Sequence, residues 1–339
     1  MIGIEFPTLP RPRGPLSRAV VDLLGGRTGA AIAVNADDAD PYGEDLQLAL
    51  YMCYELHYQG FESVDPGWEW DPSLLGFRAD LEHRFLAALR RDVAGGQELK
   101  EELDALLVEP IDSTGVSQHL RDHGEWWQVC EYFVHRSIYH HKEADPYAWV
   151  IPRLRGQAKA SLVAVEFDEF GGGRGDRIHA RLFADLLAGA GLASGYLYYL
   201  NVVPASMLAV VNMMSLFGLH RDLRGALVGH FASVEIASPP GARRMVDALE
   251  RLDADPACVL FYTEHVEADA VHEQVMRRDV IENLLTQEPE LTASVVFGIQ
   301  ATNLLEDRFT EQVLGSWQSG HSSLRELDSG GAGCPGTNR

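Results

Sequence analysis

The chain has 339 residues, 46% apolar and 23% charged, which is ample for one large globular core. Its formal net charge of −22 argues against nucleic acid or an anionic membrane as partner, because both select cationic surfaces. Cys53, Cys130, Cys258 and Cys334 are widely spaced with no Cys-x-x-Cys pair, so neither a disulfide framework nor a zinc ribbon is expected and a reducing cytoplasm is.

Residues 1–40 read as a partly ordered arm, with Pro-Arg-Pro-Arg-Gly-Pro at 10–15 and no basic stretch leading into an apolar secretion signal. Helices are predicted from about Gly43 to Gly60, from Pro72 to Leu89, and from Glu98 to Leu107. A long one runs from Ser117 to about Glu143, closed by Asp145-Pro146. Gly156–Phe170 and Asp176–Ala188 follow, separated by Gly171-Gly172-Gly173, which lacks the preceding strand and spacing of a nucleotide loop. Between Asp185 and Arg221 there is no Asp, Glu, Lys or Arg. Its Gly, Ser, Asn and Pro content and its unremarkable flanks favour a buried central helix broken near Pro204 over a membrane span. Further helices are expected at Leu223–Ala237 (stopped by Pro239-Pro240), Gly241–Leu252, Pro256–Gln287 and Glu290–Ser316. The class is all-α. A single domain is expected over 41–318, with N-terminal helices at 41–110, a metal-binding bundle at 111–318 and a disordered Ser/Gly/Pro tail at 319–339.

The most informative residues are His265, Asp269 and His272, whose spacings of four and three put them on one stripe of a helix. Two imidazoles and a carboxylate suit iron, manganese or zinc better than calcium; the competing reading is a solvated helix with scattered histidines. Glu143, Glu169, His179 and Glu235 lie in apolar helical segments or at their ends, where an ionised carboxylate is costly unless paired or metal-bound. Four acids and three histidines from several helices form the ligand inventory of a carboxylate-bridged two-iron site. Glu131 and His135 are a competing i,i+4 pair, Glu166 lies one turn before Glu169, and Asp168 is placed to orient a ligand histidine. Tyr198, Tyr199 and Asn201 are candidate substrate contacts, and Glu55 and His57 candidates for a pocket edge.

From about residue 140 to 315 the chain resembles the heme-oxygenase-like di-iron oxidases and oxygenases, a group of iron-containing redox enzymes. The resemblance rests on Glu-Ala-Asp-Pro at 143–146, Asp-Glu-Phe-Gly-Gly-Gly at 168–173, His179, Glu235 and the His265-x₃-Asp269-x₂-His272 triplet, with a further match at 54–61. It implies a bundle of about seven core helices with additional N-terminal helices, and Glu143, Glu169, His179, Glu235, His265, Asp269 and His272 as iron ligands. It also implies two Fe(II) per chain, O₂ as co-substrate and an external electron donor. Within that group an extra carboxylate such as Glu235 goes with N-oxygenation. With the acidic charge balance, this points to oxygenation of an amine on a small amino-acid-like substrate such as lysine, in biosynthesis. Oxidative decarboxylation or carbon–carbon cleavage of an amino or fatty acid is the alternative outcome at the same site. A metal-free helical binding protein is the alternative of another class. The expected partner is a small molecule, without nucleic acid or membrane, and a homodimer is allowed.

Overall fold

In a computed structural model of the chain, residues 6–27, 34–108 and 114–326 are described, side chains at 267–271 excepted. Among them there is no β-strand, as the all-α class requires, and no helix is long and apolar enough to cross a membrane.

The opening stretch contains a helix, α1 (Pro15–Leu24), whose Leu16, Val20, Val21 and Leu24 are buried against α2 (Glu44–Glu55). Asp45, in the first turn of α2, caps α1 by accepting from the Leu16 and Ser17 amides at 2.8 and 2.7 Å. Helix α3 (Pro72–Asp92) starts at an Asp71 cap followed by proline; Asp71 accepts from the Ser73 and Leu74 amides. α4 (Leu99–Leu106) follows. The long helix expected from Ser117 is two, α5 (Val116–Asp122) and α6 (Trp126–His140). Gly124 breaks it, packed so closely on Leu120 that a Cβ would lie 2.6 Å from the Leu120 Cα. Glu143 therefore stands three residues beyond α6, just before α7 (Asp145–Ala148).

α8 (Gly156–Glu169) and α9 (His179–Gly189) flank the glycine run. α10 (Ala205–Leu219) begins directly after Pro204 and is buried on every side, which explains why its sequence carries no charge. Inside the core its Asn212 donates through Nδ2 to the Gln47 carbonyl and side-chain oxygen at 2.8 and 2.7 Å.

α11 (Arg224–Arg251) is continuous where Pro239-Pro240 predicted a stop. A proline removes one ladder bond and costs about 3 kcal/mol in a helix interior. Packing of α11 along α5, α12 and α14 outweighs that local preference. The contact with α14 (Thr292–Gln318) is close because Gly229 and Gly298 face backbone. A Cβ on either would lie 2.1 or 2.0 Å from the Val295 or Ala226 carbonyl oxygen. α12 (Pro256–Gln274) passes through a π-helical turn at Val275–Ile281 into α13 (Glu282–Gln287), and that turn packs on α8.

The C-terminal segment is held through Ser323. Glu131 accepts from the Trp317 indole at 2.9 Å and from the Ser323 amide and hydroxyl at 2.9 and 2.8 Å. His135 meets the same hydroxyl at 2.8 Å. The Glu131/His135 pair is thus spent on anchoring residues 320–326, whereas 327–339 lie outside the described residues.

Candidate metal centre

Three consecutive glycines with positive φ, Gly171, Gly172 and Gly173, reverse the chain after α8. The turn folds so tightly that a Cβ on Gly171 would meet the Arg177 carbonyl carbon at 2.6 Å. It brings the last residue of α8 and the first of α9 face to face: Glu169 Oε2 lies 2.7 Å from His179 Nδ1. Arg177, at the end of the same turn, pairs with Glu264 and ties the turn to α12.

Two groups of donors meet there. Glu143, His179 and His265 form one; Glu169, Glu235 and His272 form the other; within each, the donor atoms lie within 4.8 Å of one another. Glu143 Oε1 stands 3.6 Å from His179 Nδ1 and 3.5 Å from His265 Nε2. Those are close to the ~3–3.5 Å between donor atoms that share one first-row ion at about 2.0–2.2 Å. Both Glu143 Oε1 and His179 Nδ1 are buried, and neither makes a well-directed hydrogen bond, although Glu169 Oε2 lies 2.7 Å from that nitrogen. Buried polar atoms rarely go unpaired, so this donor set fits a cation. In the second group His272 Nδ1 lies 3.0 Å from Glu235 Oε2, and its Nε2 lies 3.2 Å from Asp168 Oδ2. The structure thus brings six of the seven expected ligands together. Asp269 falls on α12, but its side chain lies outside the described residues.

Neighbouring groups aim the donors. His265 donates from Nδ1 to the Phe261 carbonyl at 2.8 Å, which fixes its tautomer and turns Nε2 toward Glu143. His140, which the sequence reading did not single out, hydrogen-bonds through Nδ1 to the other oxygen of Glu143. The signal for it was its i,i+3 spacing from Glu143 at a helix end. Pro239 has no N–H to give to the Glu235 carbonyl, so the α11 ladder is interrupted at a donor residue.

Charge follows geometry. Burial opposes a charge on His179, but Glu169 and Glu143 outweigh it and drive its pKa up to about 11. His265 rises to about 9 against the same burial because of Glu143, and His272 to about 9 because of Glu235 and Asp168. Glu143 is held well below the carboxylate range: burial pushes it up, and His140, His179 and His265 pull it down further. Glu166, with both oxygens buried and unpartnered, is pushed up to about 9 by burial and by Glu169, Glu235 and Asp145. A cluster of acids that holds protons on its imidazoles presents the field a cation would neutralise.

The suggested substrate contacts have the following surroundings. Tyr198 is 62% exposed, the Tyr199 hydroxyl accepts from the Ala193 amide, and Asn201 accepts from the Arg11 amide at 2.7 Å. His57 is taken by Glu69 and Arg78, and His230 by Tyr147 and Thr302 in the core. Glu55 is fully buried and paired with Lys142, an association across 87 residues of chain that no local spacing signals.

A family model described as iron-containing redox enzyme matches residues 130–307. A nitrosourea synthase from Streptomyces achromogenes subsp. streptozoticus is 27% identical over 194 residues, covering 55% of this chain and 40% of that protein. The chain therefore spans less than half of that relative's length. Among solved structures, a domain of unknown function with a heme oxygenase-like fold from Shewanella denitrificans matches at 16% identity and a TM-score of 0.43, over 68% of this chain and 96% of that one.

Proposed function

Because the chain belongs to the iron-containing redox enzymes, matched over residues 130–307, we propose that it is an O₂-dependent di-iron oxygenase acting on the amine of a small amino-acid-like substrate, lysine being the first candidate. Glu143, His179 and His265 would hold one iron and Glu169, Glu235 and His272 the other, with Asp269 joining from the His265/His272 stripe. Two ferrous ions at these positions would supply the electrons that activate O₂. For N-hydroxylation the reaction balances as amine, O₂, two electrons from an external donor and two protons giving hydroxylamine and water.

The chain's own residues set the conditions. Glu143 and Glu169 stand between imidazoles and supply the negative charge that favours oxidised metal. His140 and the Phe261 carbonyl hold the first group in orientation. Glu166 keeps a proton on a buried carboxyl oxygen at neutral pH, next to a site that consumes protons. Phe183, Phe261 and Tyr262, all buried, exclude bulk water from its flank.

The observation that carries this reading is the joining of the two donor groups through the 2.7 Å approach of Glu169 to His179. Nitrosourea synthase favours nitrogen as the atom oxidised, since a nitrosourea contains an oxidised nitrogen. Glu235, the extra carboxylate that goes with N-oxygenation, stands inside the second group at 3.0 Å from His272. Metal analysis with oxygen uptake tests the proposal. The wild type should bind two Fe(II) per chain and consume O₂ with an amine substrate; Glu235→Ala should lose iron from one group and lose N-oxygenation. Full N-oxygenating activity in Glu235→Ala would remove the basis for choosing this outcome over decarboxylation or carbon–carbon cleavage.

A further inference from the structure

Lys142 immediately precedes Glu143 in the chain, yet its ammonium reaches α2. Lys142 Nζ lies 2.6 Å from Glu55 Oε2, and the two side chains are 2% and 0% exposed. The ammonium also stands 4.5 and 4.3 Å from the ring centroids of Tyr51 and Tyr58. The other Glu55 oxygen accepts from the Tyr196 hydroxyl at 2.9 Å. Isolating two charges from water is expensive, and a buried ion pair is often no more stabilising than an apolar pair of equal volume. Stability alone is therefore a poor reason for this one.

Polar atoms without partners surround it. Both ring nitrogens of His141 are buried and unpartnered, as is the Tyr51 hydroxyl. His141 lies over Tyr196 with ring centroids 6.0 Å apart, and meets the edge of Phe183 at 5.7 Å. Phe183 also touches His140, at 4.8 Å, and His140 is the residue hydrogen-bonded to Glu143. One aromatic ring therefore separates this cluster from the first metal group. Asp145 acts electrostatically on Tyr58 and Tyr196 in the cluster and on Glu166 beside the metal groups.

Resting on the amine-oxygenating reading above, we propose that Glu55 and Lys142 are the two halves of a clamp for the zwitterionic head of an α-amino acid, whose side-chain amine then extends past Phe183 toward Glu143. Separating an ion pair strands two buried charges unless the ligand carries both signs. An α-carboxylate replaces Glu55 on Lys142, and an α-ammonium replaces Lys142 on Glu55, leaving no net charge uncompensated. The His141 nitrogens and the Tyr51 hydroxyl then have polar atoms to meet. An amine without a carboxylate leaves Lys142 unpaired, and an acid without an α-amine leaves Glu55 unpaired.

Calorimetric titration of the full chain, loaded anaerobically with Fe(II), distinguishes these ligands. The probes are L-lysine, cadaverine (lysine without its carboxylate) and 6-aminohexanoate (lysine without its α-amine), with iron content measured on the same samples. L-lysine should bind at least about tenfold more tightly than either analogue, the effect of one unpaired charged group. Lys142→Met should abolish the preference over cadaverine and Glu55→Gln that over 6-aminohexanoate, with iron content unchanged. Equal affinity of the three probes for the wild type, or no L-lysine binding by iron-replete protein, overturns the clamp while leaving the metal reading intact. A charge-matched preference in protein that holds no iron keeps the clamp and removes the metal reading. Should a variant fail to fold, the wild-type comparison of the three probes still decides.

Discussion

Raising the pH of the metal-free protein tests the charge arrangement of the site directly. His265 titrates at about 9 in the folded chain instead of 6.5, chiefly because burial is outweighed by Glu143, 3.5 Å from its Nε2. A folded-state value above the unfolded one means stabilisation that is complete below pH 6.5 and lost as the pH rises through 9. At 1.36 kcal/mol per unit, that loss is about 3 kcal/mol for this one histidine. For a chain of this length it corresponds to a fall in Tm of roughly 4 °C. His179 and His272 shift in the same direction and steepen the decline. Differential scanning calorimetry of wild type and Glu143→Gln, both metal-free, from pH 6 to 9.5 measures it. The wild type should lose at least that much, and Glu143→Gln distinctly less, because the carboxylate that sustains the imidazolium has become an amide. A wild-type Tm that stays level over this range, or equal slopes in the two proteins, would refute the reasoning.

Three further outcomes follow from the same contacts. Fe(II) affinity should rise between pH 6 and 9 with protons released on binding, since His179, His265 and His272 must deprotonate to become ligands; titration in buffers of different ionisation enthalpy counts them, and pH-independent affinity would contradict the assignment. Glu166→Gln should keep wild-type iron content and exceed wild-type stability by a margin that grows from about pH 5 to 9, because the unfolded chain ionises this carboxyl near 4.5 whereas the folded chain holds its proton to about 9; a variant less stable than the wild type at pH 7 would show that Glu166 is ionised there. Gly229→Ala places a methyl 2.1 Å from the Val295 carbonyl oxygen and should cost at least about 1–3 kcal/mol, read as a lower Tm; wild-type stability would mean that α11 and α14 do not cross this closely.

Much of the candidate site's arrangement could be read from the chain because its requirements are local. The stripe of His265, Asp269 and His272 is a matter of helical period, and Glu143, Glu169 and Glu235 stood out as acids in apolar surroundings. The glycine run between Glu169 and His179 was visible, though not that its left-handed turn would set the two side chains together. What escaped depends on distant partners. The Lys142–Glu55 pair links residues 87 apart, and Glu131 and His135 were spent on Ser323 near the far end of the chain. The partners of Tyr199 and Asn201, the Ala193 and Arg11 amides, were likewise not legible in the chain. The continuity of α11 across Pro239-Pro240 is the reverse case: a strong local signal overruled by packing on three other helices.

Turnover under ¹⁸O₂ with the iron-loaded protein, an external reductant and L-lysine within a panel of amino acids, read by mass spectrometry, tests the central claim most directly. The account predicts a product that retains every carbon of the substrate and carries ¹⁸O on nitrogen. A product that has lost carbon, or one whose added oxygen comes from water, would contradict it.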